Sequence, residues 1–353
     1  MVSDASSLRL VLDGAALASN WRWLRDRSEG AACGAAVKAD GYGLGAQAVV
    51  ERLLDAGCRD FFVATWGEAS ALADRIGPAG LSILHGVRED DLPTALTLSG
   101  ASDGRIRPVL NSRGDVARWR AASGGACDVM IDTGINRLGL APSEVGAAAA
   151  GLTVETVMSH LACADEADHP MNAQQAARFM AAAAAVPARR RSLANSAAIV
   201  AGGHGFDLTR PGLALYGGVP GDRPAPGIRP VVALEAAVLQ VRDVPAGDTV
   251  GYGATWTAPA AGARIAILNL GYADGYPRSL SDRGMALAAN GRRLPVAGRV
   301  SMDLLAVDAS GAEVAEGDWL RIAFDLAETA AAAGQSQYEL LTGLGHRYQR
   351  HWI

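Results

Sequence analysis

The chain has 353 residues, half of them hydrophobic, and carries a net charge of -5 with both signs interspersed, so it has room for two domains and a large core, and nucleic acid is not expected as its main partner. Its apolar residues are alanine-rich and too scattered for a bilayer-spanning stretch, and the opening Met1-Val2-Ser3-Asp4-Ala5 lacks the basic start and apolar run of a secretory leader. Four cysteines, Cys33, Cys58, Cys127 and Cys163, form no CxxC pair, which predicts buried filler residues in a cytoplasmic protein rather than a disulfide framework or a metal site.

From about Leu8 to Leu215 short apolar runs alternate with longer amphipathic ones. The first run, Ala35–Val37, ends in Lys38 and opens into Ala39-Asp40-Gly41-Tyr42-Gly43-Leu44-Gly45. A small-residue strand ending in lysine before a glycine-rich turn holds an amine at the mouth of a fold. Desolvation there makes the amine a usable nucleophile, as a Schiff base with pyridoxal phosphate requires. Taken alone, the pattern also fits a strand that ends in a surface lysine. Further strands are predicted at Asp60–Ala64, Leu81–Leu84, Arg107–Leu110, Val129–Asp132, Thr156–His160 and Arg191–Asn195. Helices are predicted at Ala46–Ala56, Glu68–Ile76, Ser112–Ala122 and Asn172–Ala185. About eight strand–helix units predict an α/β fold whose N-terminal part is a (β/α)8 barrel, over 1–228. Lys38, Arg137, His160, Asn195 and Arg210 all fall at or just after strand ends, where barrels place their chemistry.

The Pro/Gly stretch Pro220-Gly221-Asp222-Arg223-Pro224-Ala225-Pro226-Gly227 has no periodicity and marks a domain boundary. Beyond it the text turns to β, predicting a smaller, mostly-β domain over 229–353. Its strands are expected at Val231–Val241, Arg264–Leu270, Arg293–Val300 and Met302–Asp308, with a hairpin turn at Asn290-Gly291. A single helix, Asp325–Ala333, is expected near the end.

Several separated strings occur in one order: Val37-Lys38-Ala39-Asp40-Gly41-Tyr42-Gly43-Leu44-Gly45, then Ile131-Asp132-Thr133-Gly134-Ile135-Asn136-Arg137-Leu138-Gly139, then Ser159-His160-Leu161-Ala162. After them come Ala194-Asn195-Ser196, Arg210-Pro211-Gly212-Leu213, Val250-Gly251-Tyr252-Gly253, Leu270-Gly271-Tyr272-Ala273-Asp274 and Gly298-Arg299-Val300-Ser301-Met302-Asp303. In this order they resemble the motifs of alanine racemases over essentially the whole chain. The resemblance implies a pyridoxal 5'-phosphate enzyme that interconverts L- and D-alanine and supplies D-alanine for peptidoglycan. It implies a homodimer with composite active sites and no membrane or nucleic-acid partner.

The roles implied are specific. Lys38 holds the cofactor and is the base on one face of the substrate α-carbon; Tyr252, from the partner subunit, is the base on the other. A tyrosine serves so only if its phenol is acidified by positive charge or hydrogen bonding. Arg210 faces the ring nitrogen and, unable to release its proton readily, leaves that nitrogen unprotonated. His160 stacks on the ring, and Asn195 belongs to the same cofactor set. Tyr42, Ser196 and the N–H groups of Gly212 and Leu213 hold the phosphate. Arg137 and the Met302 N–H take the substrate carboxylate, and Tyr272 restricts substrate size.

Two positions depart from the commoner pattern. Where many relatives carry a lysine that can be carbamylated, this chain has Met130; a bound anion such as chloride, or Asn136, is expected to orient Arg137 instead. His346 stands where some relatives have tyrosine, and Ser301 where cysteine is frequent. The alternatives are a racemase of broader or different preference, such as serine, and an amino-acid decarboxylase of the same fold. A decarboxylase is expected to place an acid at the ring nitrogen, where Arg210 stands. A single-domain cofactor carrier would lack both Tyr252 and the second domain.

Overall fold

The computed structural model describes residues 6–353; residues 1–5, read above for a leader, lie outside them. By contact the chain divides into two units, Ala16–Arg229 and a second made of residues 6–15 with Pro230–Ile353. The first strand, β1 (Leu8–Leu12), belongs to the second unit although it heads the alternating text. Its burial alternates strictly along the strand, as suits a sheet covered more on one face than the other.

The first unit is a ring of parallel strands: β2 (Ala32–Cys33), β3 (Ala35–Ala36), β4 (Asp60–Val63), β5 (Gly80–Ile83), β6 (Ile106–Leu110), β7 (Cys127–Met130), β8 (Val154–Met158), β9 (Arg190–Ser192) and β10 (Leu208–Thr209). β2 pairs with β10 and β3 with β4, so these two short pieces run on as one strand around Gly34 and join the ends of the ring. Gly34 is needed there because an added Cβ would meet Asp60 O at 2.8 Å. The expected (β/α)8 barrel is therefore present. The helices that cover it have readable causes. Ala46–Ala56 buries Val49, Val50 and Leu53 and stops at the left-handed Gly57. Trp66–Leu72 starts on a Thr65/Glu68 capping box, and Arg113–Ala121 on Ser112. Pro170–Ala183 opens with proline in its first turn.

Near the N-terminal ends of these strands lies a buried ionic layer. The Asp128 carboxylate on β7 accepts from Arg107 Nε on β6 (2.9 Å), Ser82 Oγ on β5 (2.5 Å) and the Thr156 N–H on β8 (2.9 Å). Arg190 on β9 pairs with Asp60 on β4 at 2.8 Å. Three donors thus meet at the fully buried Asp128 carboxylate.

The second unit is mostly β, as expected. Its long strand β11 (Val232–Val244) pairs with β1 and then with β14 (Ala263–Leu268) beyond a bulge near Val238. β12 (Thr249–Val250) and β13 (Trp256–Thr257) form a small ribbon. β15 (Met285–Leu287) and β16 (Arg293–Pro295) form the hairpin around Asn290-Gly291. β17 (Leu305–Asp308) pairs with β14, β18 (Trp319–Ile322) with β11 and β15, and β19 (Gln349–Trp352) runs parallel to β1. Two expectations need correction. The strand foreseen from Met302 begins only at Leu305, because Ser301 folds a turn in which its N–H and its Oγ both donate to Leu304 O. The expected single late helix, found as Leu326–Ala333 with Asp325 as its cap, is followed by a second, Gln337–Thr342, set by a Ser336/Glu339 capping box. Among the described residues no helix is long and apolar enough to cross a membrane.

Candidate active site

Lys38 leaves the barrel wall two residues after β3 and is half-buried. The chain then turns through four left-handed residues, Ala39 (φ 52°), Asp40 (53°), Gly41 (64°) and Tyr42 (55°). Each non-glycine residue in that region costs roughly 1–2 kcal/mol, so the turn exists because its surroundings hold it. Gly43 N–H donates to Ala39 O (2.8 Å), Ala46 N–H to Asp40 Oδ1 (2.8 Å), and the Tyr42 ring stacks on Tyr216 at 4.6 Å. Burial pushes the Lys38 ammonium below its ordinary pKa and Arg137 adds to this, while Glu68 opposes it.

His160 follows β8. Its carbonyl accepts from Gln175 Nε2 (2.9 Å), whose Oε1 accepts the Ala162 N–H (2.8 Å). Gln175 also donates to Thr133 Oγ1 (3.1 Å), which bonds Ser159 Oγ (2.8 Å). One buried amide thus fixes the loops after β7 and β8. Burial first, then Arg210, Arg137 and Lys38, push the His160 pKa down to about 3.

Arg210 stands just beyond β10 and is buried. It donates to Ser159 O at 2.6 Å and to Ser192 Oγ. Burial lowers its pKa to about 10 and the more distant Asp128 works against that, so it stays charged at neutral pH. Arg137 is exposed, on a loop shaped by Asp132, whose carboxylate accepts the N–H groups of Gly134 (2.8 Å), Asn136 (3.1 Å) and Arg137 itself (2.9 Å). The Asn136 amide donates to Gly134 O (3.4 Å), and Asp132 sets the backbone of this loop beside Met130.

Ser196 Oγ accepts from Gly212 N–H (2.9 Å) and Ala214 N–H (3.3 Å), and Leu213 begins the turn between them. Asn195 caps the helix Ser196–Ala201, its Oδ1 accepting the Ala198 N–H (3.0 Å). A Cβ at Gly212 would run into the Tyr42 hydroxyl, so only glycine leaves this cradle open. A cradle of hydroxyls and N–H groups, two arginines and a half-buried amine fit an anionic aldehyde such as pyridoxal phosphate.

The remaining candidates lie in the second unit. Tyr252 sits in a tight turn between β12 and β13 and is 72% exposed. Gly253 lies against the Arg299 guanidinium, where a Cβ would be 3.1 Å from Cζ. Met302 and Tyr272 form one local cluster: Tyr272 N–H donates to Ser301 O and Ala273 N–H to Met302 O, both at 3.0 Å. Arg347 ties the two turns by pairing with Asp274 (2.6 Å) and Asp303 (2.7 Å), and its neighbour His346 is exposed. A cavity of about 580 Å³ is lined by Tyr252, Arg299, Ser301 and Arg242. Sequence reasoning missed Gln175, Ser192 and Arg347. Their partners lie far away in the chain, and no local spacing marks them.

The chain matches the family description "Alanine racemase, N-terminal domain" over residues 12–220 and "Alanine racemase, C-terminal domain" over residues 231–352. A protein named alanine racemase from Rhodospirillum rubrum is 45% identical, the match covering 99% of this chain and 96% of the relative. The crystal structure of alanine racemase from Bartonella henselae with covalently bound pyridoxal phosphate is 34% identical with a TM-score of 0.87, covering 98% of this chain and 99% of that one. Alanine racemase from Streptomyces coelicolor has a TM-score of 0.88 at 32% identity over the whole of both chains.

Proposed function

Because this chain belongs to the alanine racemase family, we propose that it interconverts L- and D-alanine with pyridoxal phosphate and supplies D-alanine for peptidoglycan in the cytoplasm. The observation that carries the reading is the half-buried Lys38 amine facing Arg137 and His160 in the barrel that also holds the Tyr42–Ser196–Gly212 cradle. Pyridoxal phosphate, when bound, supplies an aldehyde for covalent capture and a ring that accepts the electron pair left at the substrate α-carbon.

The chain's own residues do the rest. Lys38 Nζ removes or returns a proton on one face of the α-carbon. Tyr252 Oη does so on the opposite face, reaching in from the partner subunit of a homodimer, so the barrel carries the cofactor and the β unit brings the phenol. Arg137 and the Met302 N–H bind the substrate carboxylate. Arg210 keeps its proton, and its charge leaves the ring nitrogen without one. His160, held neutral, presents a flat ring rather than a fourth cation. Ser196, Tyr42, Gly212 and Leu213 hold the phosphate, Asn195 braces that corner, and Tyr272 limits the side chain admitted. Arg210 hydrogen-bonds only neutral oxygens among its described partners, which disfavours a decarboxylase.

The test begins with borohydride reduction of the purified protein supplied with pyridoxal phosphate, which should label position 38. Racemisation assayed on alanine, serine and lysine should rank alanine first. Tyr252→Phe should lose racemisation by about two orders of magnitude or more, the scale of a general acid–base group. It should still bind cofactor and still exchange the α-proton of one enantiomer. Equal exchange from both enantiomers would sink the two-base assignment.

A further inference from the structure

Glu68 sits in the first turn of the helix Trp66–Leu72, half-buried, and its carboxylate does more than cap that helix. Oε2 accepts the N–H groups of Ala64 (2.7 Å) and Thr65 (3.2 Å), at the exit of β4. Oε1 reaches across to the exit of the neighbouring β3 and accepts the Ala39 N–H at 2.7 Å. Ala39 is the residue after Lys38 and the first of the four left-handed ones. The described charged and titratable groups facing the amine are Arg137, His160 and Glu68, and Glu68 is the acid among them.

We propose that Glu68 is the positioning residue of the reactive lysine: its carboxylate grips the Ala39 N–H, locks the left-handed turn that aims Lys38, and sets a negative charge opposite the amine. This rests on the reading of Lys38 as the cofactor lysine. Both oxygens are in use, one on each strand exit, so a carboxylate is required. Glutamine has a single acceptor oxygen and must give up one side of the bridge, turning an NH2 toward an N–H. Aspartate keeps the charge but is a methylene too short for both. Bonds donated to a charged acceptor are the stronger kind. Removing the negative charge makes the ammonium less favourable, so the free amine should persist to lower pH.

The experiment compares Glu68→Gln, Glu68→Asp and Thr65→Val with the unaltered full chain, stripped of cofactor and reloaded with pyridoxal phosphate. Thr65→Val removes the helix cap that the Thr65 side chain provides but leaves the Ala39 bond in place. Amide exchange of the segment 38–46 by mass spectrometry should speed about tenfold or more at Ala39 in both Glu68 variants, the scale of a lost bond to a charged group, and stay unchanged in Thr65→Val. The rate of cofactor capture at position 38, read by absorbance and borohydride trapping on the high-pH plateau, should fall in both Glu68 variants. The pH midpoint of capture should move down in Glu68→Gln alone. Unchanged exchange at Ala39 in both Glu68 variants, or the same changes in Thr65→Val, would overturn the proposal, the second outcome leaving Glu68 a helix cap only. Should Glu68→Gln not fold, Glu68→Asp decides by the same exchange and plateau measurements. Failure of the unaltered protein to capture cofactor at position 38 would instead refute the reading of Lys38, and amide exchange would still decide whether Glu68 grips the turn.

Discussion

His160 is surrounded by Arg210, Arg137 and Lys38, and with burial they push its pKa down to about 3. An unfolded histidine titrates near 6.5. The folded pKa lies below that, so the native state binds fewer protons between the two values. The stability this provides is fully present above about pH 6.5 and is lost as pH falls toward 3. We expect the His160 imidazole resonances of the cofactor-free protein not to move between about pH 8 and pH 5. His160→Gln should flatten the acid side of the stability profile, read from denaturant midpoints near pH 7 and pH 4. A full titration step in that window would show the imidazole to be solvated instead. The candidate site residues were legible to different depths at this scale. Lys38 announced itself by the glycine-rich turn after it, and Arg137, His160 and Arg210 by ordered motifs at strand ends. Gln175 and Ser192 did not, because each acts on residues brought near only by the closed ring: Gln175 on His160 O and Ser192 on Arg210.

Strands and helices were legible wherever burial imposes a period. The helix Ala46–Ala56 was expected and found at the same bounds, and barrel strands fell within a few residues of their expected places. The left-handed turn after Lys38 was not legible, since Ala39 and Asp40 adopt positive φ only under the hold of their neighbours. The late helix Gln337–Thr342 was missed because six residues show too little periodicity, although Ser336 and Glu339 spell a capping box. Nor does a strand-period reading foresee Arg107 on β6 and Asp128 on β7 as a buried pair. That pair yields a prediction belonging to the elements: Arg107→Leu should cost about 3–5 kcal/mol, because Asp128 is left charged and buried with Ser82 and Thr156 N–H as its remaining partners. Urea unfolding measures it. A loss under about 1 kcal/mol would mean that water reaches the carboxylate.

The whole molecule joins a barrel that holds the amine to a β unit that holds the phenol. If two copies complete each other's site, as proposed, a sharp prediction follows. Lys38→Ala and Tyr252→Phe should each be inactive, yet a mixed dimer has one intact site, Lys38 coming from one copy and Tyr252 from the other. Random mixing makes half of the dimers mixed, so activity should return to about a quarter of the unaltered level. Mass spectrometry would confirm that mixed dimers form, and no recovery despite them would mean that each copy completes its own site. The contact division falls at Arg229/Pro230, just past the Pro/Gly stretch, whereas the place of β1 was not legible, since its partners β11 and β19 lie hundreds of residues downstream.

That placement governs the order of events at the ribosome. β1 emerges before the barrel, yet its parallel neighbour β19 spans Gln349–Trp352. Throughout synthesis of the barrel, the leucines of β1 await a sheet that has yet to be made. Contacts between segments so distant in sequence form slowly. An interrupted translation product ending after residue 229 would therefore display an unsatisfied greasy strand, a handle by which chaperones and proteases can tell unfinished chains from finished ones.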